Sequence, residues 1–135
     1  MKINRLTEDN IKPYGIIIGP KPAKTQKDGN GWGILFRESS KGWRVAYLIL
    51  RSRAIKRLEC HNSPETFEPL KGDAIIALAK SASPESFKLF KLDKPILLKK
   101  YVWHAVFTVS KETHIKITEN IKLSSKYHIV RTSKI

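Results

Sequence analysis

The chain of 135 residues contains a single cysteine, Cys60, so it cannot form an internal disulfide. A lone thiol is usual in proteins of a reducing compartment. No apolar run approaches the roughly 20 residues that a membrane-spanning helix needs. The first ten residues alternate charged and apolar side chains and contain no apolar signal-peptide core. These absences exclude a disulfide-stabilised scaffold and a helical membrane protein, and they predict a cytoplasmic protein with no membrane partner.

Acidic residues are scarce as well. The sequence has 12 Asp and Glu against 26 Lys and Arg, which gives a net charge of +14 at pH 7. Such a charge favours anionic partners, either a nucleic acid or a small substrate. The basic residues are mostly lysine and are spread along the chain, whereas phosphate and guanine recognition favours arginine. We therefore expect a small anionic or polar substrate, with nucleic-acid binding as the weaker alternative.

The apolar residues occur in short runs that are separated by Gly, Pro, Asn and Ser. This pattern predicts an all-β sandwich or barrel with one or two short helices. No repeat or linker divides the chain, so we expect one domain over residues 1–135. The predicted strands cover residues 14–19, 32–37, 43–51, 54–60, 66–70, 74–80, 95–98, 102–109, 114–117 and 127–131, and the helical turns cover 7–11 and 83–86.

Two connections between these strands have distinctive compositions. Residues 20–30 are rich in Pro, Lys and Gly, which is typical of a surface loop and makes this segment a candidate lid over a site. Lys71-Gly72-Asp73 separates two strands and predicts a tight hairpin. Gly72 would supply the positive φ that such a corner requires.

Carboxylate and imidazole side chains concentrate on one predicted strand and the turn after it. Glu59 and His61 are two residues apart, so both point to one face of the strand. Glu65 follows a Pro-containing turn, and His104 lies in a second strand. Such side chains converging inside a small barrel are typical ligands of zinc, manganese, iron or nickel. The alternative is structural, since a lone histidine is more often a hydrogen-bonded core or surface residue.

The spacing Glu59-x-His61-x3-Glu65-x6-Gly72 resembles the first motif of the cupin superfamily, with Glu59 where a first histidine is usual. His104 then corresponds to the histidine of the second cupin motif. The resemblance implies a cupin-type β-sandwich, or double-stranded β-helix barrel. It also implies that His61, Glu65 and His104 bind a divalent transition metal.

Three segments resemble the ureidoglycolate lyase family of cupins, which cleave ureidoglycolate to glyoxylate and urea. They are residues 2–17, with Tyr14-Gly15 before an apolar run, residues 58–72, and Val102-Trp103-His104. The resemblance implies a homodimeric, metal-assisted lyase or hydrolase that acts on a small polar carboxylate. In such a reaction Glu59 is the candidate proton acceptor. Strand alternation should turn either Lys99 or Lys100 inward, where a lysine could hold a substrate carboxylate, so Lys99 is the second candidate catalytic residue.

The sequence departs from that family at three polar positions, one of which is Lys99, where a histidine usually precedes the Val-Trp-His signature. Cys60 stands where an arginine is usual between the glutamate and the histidine, and Ala105 replaces the second of two consecutive histidines. These departures leave two other function classes open. One is a small-ligand-binding cupin without catalysis, and the other is a basic β-barrel that binds nucleic acid.

Overall fold

The computed structural model describes residues 7–11, 18–37 and 41–131. Its architecture confirms the predicted all-β class, since eleven strands account for nearly all regular structure. Beside them lie one helical turn, α1 (Glu8–Ile11), and one 3-10 turn (Pro84–Ser86). The strands are β1 (Lys24–Thr25), β2 (Gly31–Arg37), β3 (Trp43–Leu50), β4 (Arg57–His61), β5 (Glu65–Lys71), β6 (Ala74–Ala79), β7 (Lys88–Lys91), β8 (Ile96–Leu98), β9 (Trp103–Thr108), β10 (Thr113–Asn120) and β11 (Ser125–Ile129).

The strands form two antiparallel sheets. The six-stranded sheet has the order β1-β2-β3-β10-β5-β8, and the five-stranded sheet has the order β11-β4-β9-β6-β7. Most neighbours within a sheet are far apart in the chain, as in the pairing of β10 with both β3 and β5. Long-range pairing of this kind brings residues from distant parts of the sequence to one face. Within the described residues, no helix is long and apolar enough to cross a membrane.

The main hydrophobic core lies between the two sheets. It is built by alternate residues of each strand, because side chains in a strand point to the two faces in turn. On β10 the inward series is Ile115 and Ile117, and on β3 it includes Ala46 and Leu50, all of them buried. Full burial of a Leu or Ile side chain contributes on the order of 1.5–3 kcal/mol to stability. This core supports the inner faces on which the candidate site lies.

A second apolar cluster covers the outer face of the five-stranded sheet. Leu58 and Cys60 of β4 pack there with Ala77, Ala79 and Trp103. The alternation along β4 predicts that Cys60 points away from Glu59 and His61, and this arrangement confirms it. Cys60 is buried and is not part of a disulfide.

The predicted hairpin at Lys71-Gly72-Asp73 is wrong. Gly72 does have a positive φ of 85°, but β5 and β6 belong to different sheets. Both edges of β5 are occupied, by β10 on one side and β8 on the other, so β6 pairs with β9 and β7 instead. Gly72 therefore turns the chain from one sheet into the other.

Residues 20–30, predicted as a loop, contain one short strand. Lys24 pairs with Trp32 and Thr25 with Gly31, which makes β1 an edge strand of the larger sheet. A Cβ atom on Gly33 would overlap the backbone of Pro22, so the segment crosses β2 closely. Most of the strand predicted at residues 14–19 lies outside the described residues. Strand β7 was not predicted at all.

Candidate metal centre

A pocket of about 940 Å³ lies between the two sheets. Its buried lining contains four ionisable side chains that sit on the inward faces of β4, β5, β9 and β10. Its exposed lining comes mainly from the connection between β3 and β4 and from residues near β1. The four buried residues are His61, Glu65, His104 and Glu119.

Strands β4 and β9 place two of the predicted residues side by side. Glu59 of β4 is the backbone partner of His104 of β9, so their side chains leave the sheet on the same face. His61 follows two residues after Glu59 and shares that face. The rings of His61 and His104 consequently lie with their centroids 5.0 Å apart.

The opposite sheet contributes the acidic side of the pocket. Glu65 at the start of β5 pairs with Glu119 on β10, and Glu119 pairs with Arg44 on β3. Three adjacent strands thus place one arginine and two glutamates in a row on the inward face. Arg44 donates from Nε and Nη2 to Oε1 of Glu119, at 3.1 and 2.8 Å.

The two sheets meet at the Glu65 carboxylate. Oε1 of Glu65 lies 2.8 Å from Nε2 of His104 and 3.4 Å from Nε2 of His61. Oε2 of Glu59 lies 3.5 Å from the same His61 nitrogen. Glu65, His61 and His104 are buried, whereas the Glu59 side chain is 36% exposed. Four of the five predicted site residues are therefore in one cluster, namely Glu59, His61, Glu65 and His104.

Glu65 Oε1 has no hydrogen-bond partner among the described residues, although it is fully buried. His104 Nε2 lies 2.8 Å away and could donate to this oxygen only from a doubly protonated ring. His104 Nδ1 donates to the carbonyl of Val102 at 3.1 Å, so in a neutral ring Nε2 carries a lone pair. A lone pair facing a carboxylate is unfavourable unless a proton or a cation lies between them.

That arrangement fits a metal ion. Metal-binding histidines usually donate their second ring N–H to a carbonyl or another acceptor, which fixes the ring. His104 does so through Val102, and His61 Nδ1 lies 2.8 Å from Ser125 Oγ. Two groups of residues could each hold a metal ion, and within each group the donor atoms all lie within 4.8 Å of one another. One group is Glu59, His61 and His104. The other is His61, Glu65 and Glu119. Mixed imidazole and carboxylate donors suit Zn, Mn, Fe or Ni.

The two histidines differ in their electrostatics. Burial lowers the pKa of His61, and the nearby Glu65 and Glu59 carboxylates only partly oppose this effect. Burial also lowers the pKa of His104, but the adjacent Glu65 carboxylate and the Val102 carbonyl outweigh it, so the pKa is raised overall. His61 is therefore more readily neutral and available to bind a metal. At His104 a metal ion would have to compete with a proton for the ring nitrogen.

Glu119 and Arg44 are the site residues that the sequence analysis missed. Burial, aided by Glu65 and opposed by Arg44, raises the pKa of Glu119 to about 7. A signal for Glu119 did exist, because it continues the inward alternation of Ile115 and Ile117 on β10. The predicted strand ended at residue 117 and stopped short of it. No comparable pattern marks Arg44, whose place depends on the pairing of β3 with β10.

Lys99 is not brought to the cluster. It is exposed in the connection after β8 and is not among the residues that line the pocket. Cys60 also points away from the pocket, so the arginine that it replaces in the resembling family has no counterpart at that position. Two other guanidinium groups lie beside the cluster, that of Arg44 paired with Glu119 on the other sheet and that of Arg57 at 4.0 Å from Glu59.

Comparison with solved structures identifies the fold. The cupin domain of Cnp3 from Schizosaccharomyces pombe superimposes with a TM-score of 0.54 at 11% identity, over 77% of this chain and 68% of that chain. The hydroxypropylphosphonic acid epoxidase from S. wedmorenis gives 0.60 at 18% identity, over 78% and 58%. This chain has the cupin fold.

A vicilin from Solanum melongena, whose structure revealed different anionic ligands in structurally similar pockets, gives a TM-score of 0.59 at 11% identity, over 78% of this chain and 31% of that chain. The chain spans about a third of the length of the vicilins that it matches. No known family and no curated protein matches the sequence. At these identities the likeness extends to the fold alone.

Proposed function

We propose that this chain is a metal-dependent cupin enzyme, a lyase or hydrolase acting on polar carboxylates, with ureidoglycolate as the smallest candidate substrate. The observation that supports it most is the buried, unpartnered Oε1 of Glu65, toward which the Nε2 atoms of two histidines converge. The specific reaction rests on the sequence resemblance. One structural neighbour is an epoxidase, so the shared fold is compatible with catalysis.

In this proposal, His61, Glu65 and His104 are the metal ligands, and Glu59 is the general base. Glu65 is buried and is nearest to both imidazoles, as a ligand should be. Glu59 is more exposed and lies 4.0 Å from Arg57, so it faces the space that a substrate would enter. Lys99 has no part in the proposal because it lies outside the pocket.

A bound divalent cation would supply a Lewis acid that lowers the pKa of a substrate hydroxyl. Glu59 would accept the hydroxyl proton as the carbonyl of the product forms and the carbon–nitrogen bond breaks. The same carboxyl group would then return the proton to the departing ureido nitrogen, giving glyoxylate and urea. Arg44 lies on the opposite sheet, where its guanidinium group is held by Glu119.

A second candidate is a cupin that binds a small anion without catalysis. The vicilin with anionic ligands in its pockets shares the fold and favours this alternative. The two candidates differ in one observable, because a binding protein would be stabilised by its ligand without consuming it. Ligand-dependent thermal stabilisation without product would favour the binding protein.

Turnover of ureidoglycolate, measured as glyoxylate release by the metal-loaded protein, tests the proposed reaction. We expect Glu59→Gln to lower kcat by roughly 100-fold or more, as for loss of a general base, while the metal content is unchanged. Glu65→Gln should instead reduce the metal content. Full activity in Glu59→Gln would overturn the role of Glu59. No turnover of ureidoglycolate or of related hydroxy and ureido acids would overturn the enzyme.

We also propose that the protein acts in the cytoplasm as a homodimer. The unpaired Cys60 thiol supports a reducing compartment. The dimer rests on the resemblance to ureidoglycolate lyases. Sedimentation equilibrium at several protein concentrations tests it, and a constant monomer mass would contradict it.

A further inference from the structure

The pocket differs in character between its base and its mouth. The base is formed by the buried cluster around Glu65. The mouth is formed by the connection from β3 to β4, where Arg53, Lys56 and Arg57 line the pocket and are exposed. We call these three residues the basic rim.

Two of the three rim residues have no acidic partner. Among the described residues, Arg53 and Lys56 take part in no side-chain ion pair, whereas Arg57 lies 4.0 Å from Glu59. The Arg57 guanidinium also lies 4.2 Å from the ring centroid of Tyr127, which holds it at the edge of the pocket. Uncompensated cations at a pocket mouth attract and orient anions.

The formal charge of the residues that line the pocket also favours an anionic ligand once a divalent cation is bound. The pocket is lined by four basic side chains and four acidic ones, so with neutral histidines its formal charge is zero. A divalent cation in the cluster would raise that charge to about +2. The positive charge would then be divided between the metal at the base and the rim at the mouth. The basic residues are Arg44, Arg53, Lys56 and Arg57, and the acidic residues are Asp28, Glu59, Glu65 and Glu119.

The wall between base and mouth is largely apolar, with Leu50, Phe67, Val106 and Ile117 among its residues. At about 940 Å³ the pocket is also of the size that holds drug-sized ligands. We propose that the pocket takes an elongated dianion with an apolar middle, one anionic end at the metal cluster and the other at the basic rim. This inference rests on the proposed metal centre and names its substrate class, an acid longer than ureidoglycolate.

The test is calorimetric titration of the Zn²⁺-loaded protein with acetate, succinate, adipate and suberate. We expect affinity to rise along the dicarboxylate series once the acid is long enough to reach the rim. The double variant Arg53→Gln/Lys56→Gln should bind the longest dicarboxylates about tenfold more weakly, because it loses hydrogen bonds to a charged group. Its affinity for acetate and its zinc content should not change.

The matched control is Lys88→Gln/Lys91→Gln, which removes the same charge from exposed residues of β7 outside the pocket. It should bind every acid as the unmodified protein does. An equal loss in both double variants would show a general charge effect and overturn the rim. Equal affinities for acetate and suberate would overturn it as well.

Zinc content is measured separately, so the two proposals can fail separately. If the unmodified protein retains no zinc, the proposed function fails, and the same acids are then titrated into the metal-free protein. A loss of suberate affinity confined to the rim variant would still support the rim. No such loss would overturn it.

Discussion

The protein contains two histidine–carboxylate networks, one on each face of the six-stranded sheet. In the outer network, His114 Nδ1 lies 2.7 Å from the Tyr47 hydroxyl and its Nε2 lies 3.0 Å from Glu112 Oε1. Glu112 Oε2 in turn accepts from Arg51 Nε at 3.2 Å. In the inner network, the Nε2 atoms of His61 and His104 both approach one glutamate oxygen that has no hydrogen bond among the described residues.

The two networks share their residue types, so composition does not distinguish them. What differs is whether each polar atom has its own partner. Both ring nitrogens of His114 have one, which is how buried polar groups behave in a structural network. The inner histidines converge on one oxygen, an arrangement that an additional ligand would complete. Unmet hydrogen bonds, rather than the presence of histidine, therefore indicate where a ligand binds.

The largest expected effect comes from removing the arginine of each network. Well above the Glu119 pKa of about 7, where the carboxyl is ionised, Arg44→Met leaves this buried group without its partner, and breaking a buried pair from one side costs about 3 kcal/mol or more. Arg51→Met breaks a more exposed pair with Glu112 and a hydrogen bond to the Gly29 carbonyl, and should cost about 1–2 kcal/mol. Urea unfolding of the metal-free variants measures both. Equal losses would show that the networks do not differ in burial.

A smaller effect is expected from His114→Ala. The substitution leaves the buried Tyr47 hydroxyl without its partner and leaves Glu112 paired with Arg51 alone, which should lower the free energy of unfolding by about 2 kcal/mol. It should not change metal binding. The control is His128→Ala, since the partly exposed His128 side chain has no hydrogen bond or ion pair among the described residues, only a ring contact with Trp103, and its loss should cost less. A loss of metal in His114→Ala would contradict the separation of the two networks.

The smallest effect concerns the pH dependence of the outer network. Hydrogen bonds from His114, together with those from Arg51, lower the pKa of Glu112 in the folded protein. A carboxylate with a lowered pKa stabilises the fold above its unfolded pKa, and this contribution is lost as the pH falls through the folded pKa. Glu112→Gln should therefore be less stable at neutral pH, and its difference from the unmodified protein should shrink in acid. Thermal unfolding between neutral and acidic pH measures it, and a difference that grows in acid would contradict this account.

The sequence predicted most strands because alternation and turn residues are local properties. It also placed Glu59 and His61 on one face, for the same reason. It did not predict Arg44 and Glu119 as neighbours of Glu65, since that arrangement depends on β10 pairing with both β3 and β5. No local pattern encodes which strands will pair over such distances.

The predictions of a hairpin at Lys71-Gly72-Asp73 and of a catalytic Lys99 failed for the same reason, because both depend on tertiary contacts. Lys71-Gly72-Asp73 has the residues of a hairpin and the expected backbone at Gly72, yet the chain crosses to the other sheet because β5 is already paired on both edges. Lys99 was chosen because strand alternation should turn either Lys99 or Lys100 inward, but it is exposed beyond β8. Roles that depend on tertiary contacts were predicted less well than the strands themselves.

The most direct test is elemental analysis of protein purified without an affinity tag. His61→Ala/His104→Ala removes the two inner histidines, and His114→Ala/His128→Ala removes the other two of the four in the chain. We predict about one equivalent of a transition metal per chain in the unmodified protein and in the second variant, and none in the first. Equal metal content in the two variants, or no metal in the unmodified protein after reconstitution with Zn, Mn, Fe or Ni, would contradict the metal centre.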